Sequence, residues 1–419
     1  MYEKLTLPNG VRIVTEHIDH MRSASLGIWV GSGSRFEPAG RNGISHFIEH
    51  MLFKGTETRS AEELAAMMDA VGGQTNAFTA KECTVFYGRV LDSHLARLED
   101  VLFDMFFCSR FDEGDVLNER GVVFEEIDMY RDTPEDLVSE RLFYECFRGS
   151  GLARPILGTK ATLNRMTGQG MREYMLSHYI PQRVVIALAG SFSDRDVRDI
   201  AERFSAMVPG REKPVRAAEY TPVFTAKRKA IEQNHLCLGF PGISRSDPDR
   251  YAMSLFSSIL GGGMSSRLFQ QVREKNGLCY SVYTFVSSYS DIGTFNIYAG
   301  VGEETEEKAL RLILSELERI RQDGVTADEL SRAREQVKSN TVMELESTGA
   351  HMNRLGKSEL LFGEVPDTDE VIAAYDAVTA EEIRAVAQKV LDLTRVSLSA
   401  VGRVRDADRY RELMGSEKS

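Results

Sequence analysis

Across 419 residues no apolar run approaches the roughly 18–20 residues of a membrane-spanning helix, so the sequence is read as having no transmembrane segment. Basic charge is also scarce. Lys and Arg number 51 against 63 Asp and Glu, a formal net charge of −12, which removes the positive footprint a nucleic-acid binder needs. The same excess suits cationic ligands on an internal acidic surface. There are only five cysteines, Cys83, Cys108, Cys146, Cys237 and Cys279. They are odd in number and widely spaced, with no Cys-x-x-Cys knuckle, and read as reduced, mostly buried thiols of a cytoplasmic protein. The opening ten residues lack both a basic n-region and an apolar h-region, so no secretory signal is expected. With 42% hydrophobic residues the chain is too apolar to be disordered, and its length implies about two to three domains.

The punctuation of the chain suggests a repeat. Leu5–Leu7, Pro8-Asn9-Gly10 and Val11–Thr15 read as strand, turn and strand, and Ala24–Val30 as a further strand. Ile44–Phe53 has helical spacing, and Ser60 with Glu63 forms a capping box for a helix over Ala61–Val71. Asn76–Val90 is β-rich. Helices follow over 92–108, 112–131 and 133–147, with Pro134 in the first turn of the last. After the strand Val184–Ala189, Met207–Phe224 carries Pro209-Gly210, Pro214 and Pro222 among charges and reads as a linker. The second half then replays the first: a strand over Leu236–Phe240, a helix over Asp249–Leu260, β-rich Tyr280–Val301 and a long helix over Thr305–Asp323. The expected fold class is therefore α+β, with two similar domains at 1–208 and 225–419 joined by 209–224. Each is a mixed or antiparallel sheet packed against helices.

The sharpest chemical signal is His46-Phe47-Ile48-Glu49-His50. At about 100° per residue the two imidazoles lie about 40° apart and one turn removed, so they can converge on one ion. Glu49 lies about 60° to the other side, within reach of a water held there. Two histidines, a third protein ligand and a water make the open arrangement of a catalytic zinc. The plain alternative is a helix that happens to hold two histidines. The third ligand is offered by the helix containing Glu119–Glu126, where positions 119, 122, 123 and 126 share one face. Carboxylates pointing where valines point are costly to bury unless a cation compensates them. Taken alone, the segment reads equally as an acid-rich surface helix. The remaining histidines, His17, His20, His94, His178, His235 and His351, have no partner spacing and read as structural or surface groups.

The order His-x-x-Glu-His is the inverzincin arrangement. With it, the chain resembles the M16 metallopeptidases, the pitrilysin family, and within them the two-domain bacterial relatives of the mitochondrial processing peptidase β-subunit. The resemblance runs from Leu5 to about Val401. It implies that the third zinc ligand is Glu126, which stands 76 residues after His50, and that Glu119, seven residues earlier, supports the site. The flanks Gly43-Ile44-Ser45 and Met51-Leu52-Phe53-Lys54-Gly55-Thr56 match as well. Asn76-Ala77-Phe78-Thr79 is similar to the edge strand on which relatives hold substrate as an added strand. Phe53 and Phe78 would then line side-chain pockets. Without the family these are a plain edge strand and core phenylalanines. Arg273 and Tyr280, again seven apart, resemble the family's Arg/Tyr pair, which holds substrate and stabilises the oxyanion. Read alone, they are a solvated helix residue and a strand residue.

The resemblance implies a zinc-dependent endopeptidase acting on peptides or unfolded segments, with Zn²⁺ on His46, His50 and Glu126 and Glu49 as general base. Catalytic members enclose their substrate between four such domains, and this chain has two. Because it carries both the zinc motif and the Arg/Tyr pair, a homodimer is expected, with no nucleic-acid or membrane partner and with peptide substrates of cationic character. The other readings are a non-catalytic peptide-binding or assembly subunit and one half of a heterodimer.

Overall fold

The computed structural model describes residues 2–212 and 215–415, so Lys213 and Pro214 of the expected linker lie outside the described residues. Contacts along the chain form two units. The first comprises Met1–Ile127, Arg154–Arg216 and Val342–Asp367; the second comprises Asp128–Ala153, Ala217–Thr341 and Thr368–Ser419.

The first unit holds a six-stranded sheet of β1 (Glu3–Thr6), β2 (Arg12–His17), β3 (Ser23–Val30), β4 (Gln74–Thr79), β5 (Thr84–Leu91) and β6 (Val184–Gly190). Its order is β1-β2-β6-β3-β5-β4, with β2 and β6 parallel and every other pair antiparallel. The second unit holds β7 (Phe224–Arg228), β8 (Gln233–Gly242), β9 (Cys279–Ser288), β10 (Gly293–Gly302) and β11 (Ser397–Gly402) in the order β7-β11-β8-β10-β9. There β7 and β11 are the parallel pair. With β1 set aside, the two sheets have the same strand order, the same connectivity and the same single parallel pair, so the repeat read from the sequence is a repeat of topology.

Successive side chains on a strand face opposite sides of a sheet. In the first sheet Ile13, Ile28, Phe86 and Ile186 enter one buried cluster, whereas their neighbours Val14, Trp29, Val85 and Val185 enter another. Both faces are therefore covered, and this accounts for the uninterrupted apolar run of β6, Val184 to Ala189. The second sheet repeats the device, with Leu236, Leu238 and Phe240 on one side and Cys237 on the other.

The helices on the two secondary faces correct the expected domain limits. The helix Pro134–Cys146 comes from the first half of the sequence but packs on β11 and β8, placing Leu137, Val138 and Leu142 in the second unit. The helix Thr348–Phe362 comes from the second half but packs on β6, β3 and β2, with Met352 and Leu355 against Trp29. Each half of the chain lends one helix to the other unit, so the units are not the contiguous stretches 1–208 and 225–419. The physical reason is that each sheet has a second apolar face, which its own half leaves uncovered. Among the described residues no helix is long and apolar enough to cross a membrane.

Candidate metal centre

The helix Ile44–Leu52 is buried almost all round. Phe47, Ile48, Met51 and Leu52 anchor it in the first core, and only Glu49 and His50 retain appreciable exposure. Its N-terminal turn has no capping side chain of its own. Instead the buried Glu37 carboxylate accepts hydrogen bonds from the backbone N–H of Gly43 (2.7 Å) and Ser45 (2.8 Å) and from Asn42 Nδ2 (2.8 Å). An anion at a helix N-terminus also opposes the positive end of the helix dipole.

The second contributor is the helix Glu113–Asp132, whose buried stripe is Val116, Glu119, Val123 and Ile127. The apolar face is narrower than the sequence suggested. Val123 is buried, but Val122 is 51% exposed, and Glu126 sits at the margin of the stripe rather than within it.

His46, His50 and Glu126 bring three ligand atoms within 4.8 Å of one another. Glu126 Oε2 lies 3.5 Å from His46 Nε2 and 3.6 Å from His50 Nε2, and this buried oxygen has no hydrogen-bond partner. These distances are long for hydrogen bonds but match tetrahedral ligands set about 2 Å from one ion, which lie roughly 3.3 Å apart. Burial, then the nearby His50, pushes His46 down to about 3, so its imidazole is neutral and its lone pair is available. Burial also raises the Glu126 carboxyl above its ordinary range. An orphaned buried carboxylate oxygen facing two imidazole nitrogens fits a divalent cation with a nitrogen–oxygen donor set, zinc above all.

Behind the cluster, His50 Nδ1 meets Glu119 Oε1 at 2.9 Å, and Glu119 Oε2 meets Lys54 Nζ at 2.7 Å. With Nδ1–H donating to Glu119, Nε2 of His50 presents its lone pair toward Glu126. Burial pushes the Glu119 carboxyl up, but its bonds with His50 and Lys54 outweigh that and hold it below the usual range. Lys54 was not singled out from the sequence. The available signal was its place just past the C-terminal end of the motif helix, four residues after His50. Glu49 stands beside the cluster with its carboxyl raised by burial and opposed by a hydrogen bond from Thr79.

β4 is the outer strand of its sheet and pairs on one side only, with β5. Asn76, Ala77, Phe78 and Thr79 alternate along it. Ala77 packs on the first core and Thr79 reaches Glu49, whereas Phe78 turns to the opposite face, edge-on to Trp29 at 5.9 Å. Phe53 caps the C-terminus of the motif helix and packs on the first core. Arg273 and Tyr280 belong to the second unit, where the guanidinium lies 5.5 Å from the Tyr280 ring centroid and 4.7 Å from that of Phe269. Tyr280 is 71% exposed.

The family described as Insulinase (Peptidase family M16) matches residues 12–160, and the one described as Peptidase M16 inactive domain matches residues 165–337. A zinc protease of Bacillus subtilis (strain 168), named as uncharacterized, is 44% identical over 93% of this chain and 96% of its own length. Another, of Streptomyces coelicolor, is 44% identical over 96% of this chain and 90% of its own. The chain belongs to the M16 peptidase family. Its fold agrees: a structure of the peptidase M16 inactive domain from Pseudomonas fluorescens superposes with a TM-score of 0.90 at 21% identity, covering 97% of this chain and 99% of that one. A protease from Helicobacter pylori superposes with a TM-score of 0.87 at 19% identity over 96% of this chain and 99% of that one. This M16 chain is thus a two-domain α+β member, and its histidine–glutamate cluster falls within the stretch matched by the Insulinase model.

Proposed function

We propose that this M16 chain is a zinc-dependent endopeptidase of peptides or unfolded segments. The observation that carries the reading is the unpartnered buried oxygen of Glu126 facing Nε2 of both His46 and His50, with Glu49 alongside. His46, His50 and Glu126 would hold the ion. Zinc, when bound, is the Lewis acid that acidifies water and polarises the scissile carbonyl. The Glu49 carboxylate takes the proton of the attacking water and gives it to the departing amine as the peptide bond breaks. Glu119 and Lys54 hold His50 in its working tautomer. The open edge of β4 receives an extended peptide as an added strand through main-chain hydrogen bonds, with Asn76, Ala77, Phe78, Thr79 and Phe53 as its neighbours. Arg273 and Tyr280 act from a second copy of the chain, as fixed positive charge and O–H donor to the oxyanion.

In this reading the enzyme is a cytoplasmic homodimer that prefers cationic peptides. The five free cysteines support the cytoplasmic part of this reading, the net charge of −12 the cationic preference, and the presence of both the histidine motif and the Arg273–Tyr280 pair in one chain the homodimer. The complete set of ligand residues supports catalysis over a purely structural subunit. Zinc content, cleavage of an internally quenched peptide and mass in solution, measured on one preparation, test it. The expected result is about one zinc per chain, chelator-sensitive cleavage and a dimeric mass. Glu49→Gln should keep its zinc and lose at least about 100-fold in kcat. Near-normal cleavage by that variant would remove Glu49 from its role.

A further inference from the structure

Glu49 has one hydrogen-bond partner among the described residues, the hydroxyl of Thr79, which donates to Oε2 at 2.5 Å. Thr79 is the last residue of β4, the strand with the open edge, and pairs across the hairpin with Thr84. The contact therefore joins the substrate-receiving strand to the group that moves the proton. A carboxylate on a two-carbon stem can rotate, and a wrongly turned one delivers a proton slowly. Holding Oε2 leaves Oε1 without a hydrogen bond from the described residues.

The position of Thr79 is itself fixed. The turn after it closes with Ala80 N–H donating to Cys83 at 2.8 Å. The turn is then tied to the segment Gly33–Glu37, where Ser34 N–H donates to the Ala80 carbonyl at 3.2 Å and Arg35 N–H to the Lys81 carbonyl at 2.8 Å. A Cβ on Gly33 would lie 2.2 Å from the Ala80 oxygen, so only glycine allows this approach. The buried ion pair of Arg35 with Glu82, at 2.7 Å, fastens the same junction. Two residues on, Glu37 clamps the first turn of the motif helix. One short segment thus sets the hairpin that carries Thr79 and the helix that carries Glu49.

We propose that Thr79 is a positioning residue for the general base, locking the Glu49 carboxylate from the strand on which substrate docks. The inference rests on the peptidase reading and adds to it a coupling between strand and base. It distinguishes Thr79 from its neighbours on β4, which would act on substrate binding alone.

Thr79→Val removes the hydroxyl while keeping shape and strand preference, and Thr79→Ser keeps the hydroxyl. Both are compared with the unaltered zinc-loaded chain for kcat and KM on one internally quenched peptide, with zinc content and melting temperature alongside. The expected result is a fall in kcat of at least about 10-fold for Thr79→Val, with KM within about two-fold and zinc and melting temperature unchanged. Thr79→Ser should recover kcat to within about three-fold. A change in KM alone, an unchanged kcat, or a failure of Ser to rescue would overturn the positioning role. An unaltered chain inert toward peptide while retaining zinc would overturn the peptidase reading and this inference together. An active chain whose Val variant is equally active would overturn only this inference.

Discussion

The two units are built on one topology and differ in what they hang on it. Between β3 and β4 the first unit places the helix Ile44–Leu52 with His46, Glu49 and His50. Between β8 and β9 the second places the helix Arg250–Gly261, which has no histidine, aspartate or glutamate and buries Met253, Leu255, Phe256, Ile259 and Leu260. The buried acids differ in the same way. In the first unit Glu126 Oε2 is orphaned beside two imidazoles. In the second, both oxygens of Glu306 are satisfied, Oε1 by Tyr410 Oη at 2.8 Å and Oε2 by Asn234 Nδ2 at 2.6 Å. The strand framework needs only apolar alternation and turns, which both halves supply. Metal chemistry needs an orphaned carboxylate oxygen beside two imidazole nitrogens, and among the described residues that arrangement occurs only in the first unit.

The largest effect should come from exchanging these two acids as targets. Glu126→Ala removes a ligand that nothing else replaces, so zinc affinity, measured by competition with a chelator, should fall by at least about 100-fold with the fold intact. Glu306→Gln should leave zinc affinity unchanged and cost about 1 kcal/mol of stability, because it weakens a pair of hydrogen bonds from neutral donors rather than removing a ligand. Loss of zinc in both variants would mean that the contrast between the units is false.

Much of this contrast was legible beforehand because it is local. Helix periodicity put His46 and His50 on one side, and Ser60 with Glu63 formed the expected capping box. The β-rich reading of Asn76–Val90, which left one long strand or a strand pair open, followed from its Thr, Phe and Val content and resolves as β4 and β5. What was not legible is pairwise and long-range. Leu137, Val138 and Leu142 announce an apolar face, but periodicity cannot say which sheet that face will cover, so the exchange of helices was missed. The same limit applied to Val122, whose exposure depends on where its helix meets the core. It applied equally to the pairings of Thr79 with Glu49 and of Lys54 with Glu119, whose partners lie on other elements.

The exchanged helices offer a second, smaller contrast. Each lies close over a strand, but the approach is tighter in the first unit. A Cβ on Gly356 would sit 2.1 Å from Nε1 of the buried Trp29, whereas the nearest atom to a Cβ on Gly239 would be the end of Leu142 at 2.9 Å, with Asn296 Oδ1 next at 3.4 Å. An indole packed on both sides cannot yield as a leucine methyl can. Gly356→Ala should therefore destabilise the protein by about 2 kcal/mol despite the better helix propensity of alanine, and Gly239→Ala by less than about 1 kcal/mol. Denaturant midpoints compare the two directly. Equal costs would show that helix and sheet in the first unit shift apart as readily as those in the second.

The smallest effect is also the one with opposite signs. In the first unit Glu99 is buried with Oε1 unpaired, and burial, with Asp196 and Asp199 nearby, pushes its carboxyl up to about 8. In the second, burial would raise Glu329 too, but the paired bonds from Arg267 at 2.7 and 2.8 Å outweigh it and bring it down to about 2. A carboxyl whose folded value is raised holds its proton more tightly when folded. Its contribution is complete below the ordinary value of 4.5 and is lost as pH rises from there through about 8. A carboxyl whose folded value is lowered contributes above 4.5 and loses that contribution as pH falls toward about 2. Glu99→Gln should thus match the unaltered protein near pH 4 and exceed it by about 1 kcal/mol at pH 9, since the amide never has to ionise. Glu329→Gln should be the less stable protein at pH 7 and converge on the unaltered one near pH 2. Melting temperatures of the three proteins across this range test both signs, and a Glu99→Gln advantage that did not grow with pH would mean that this buried acid is already solvated in the folded state.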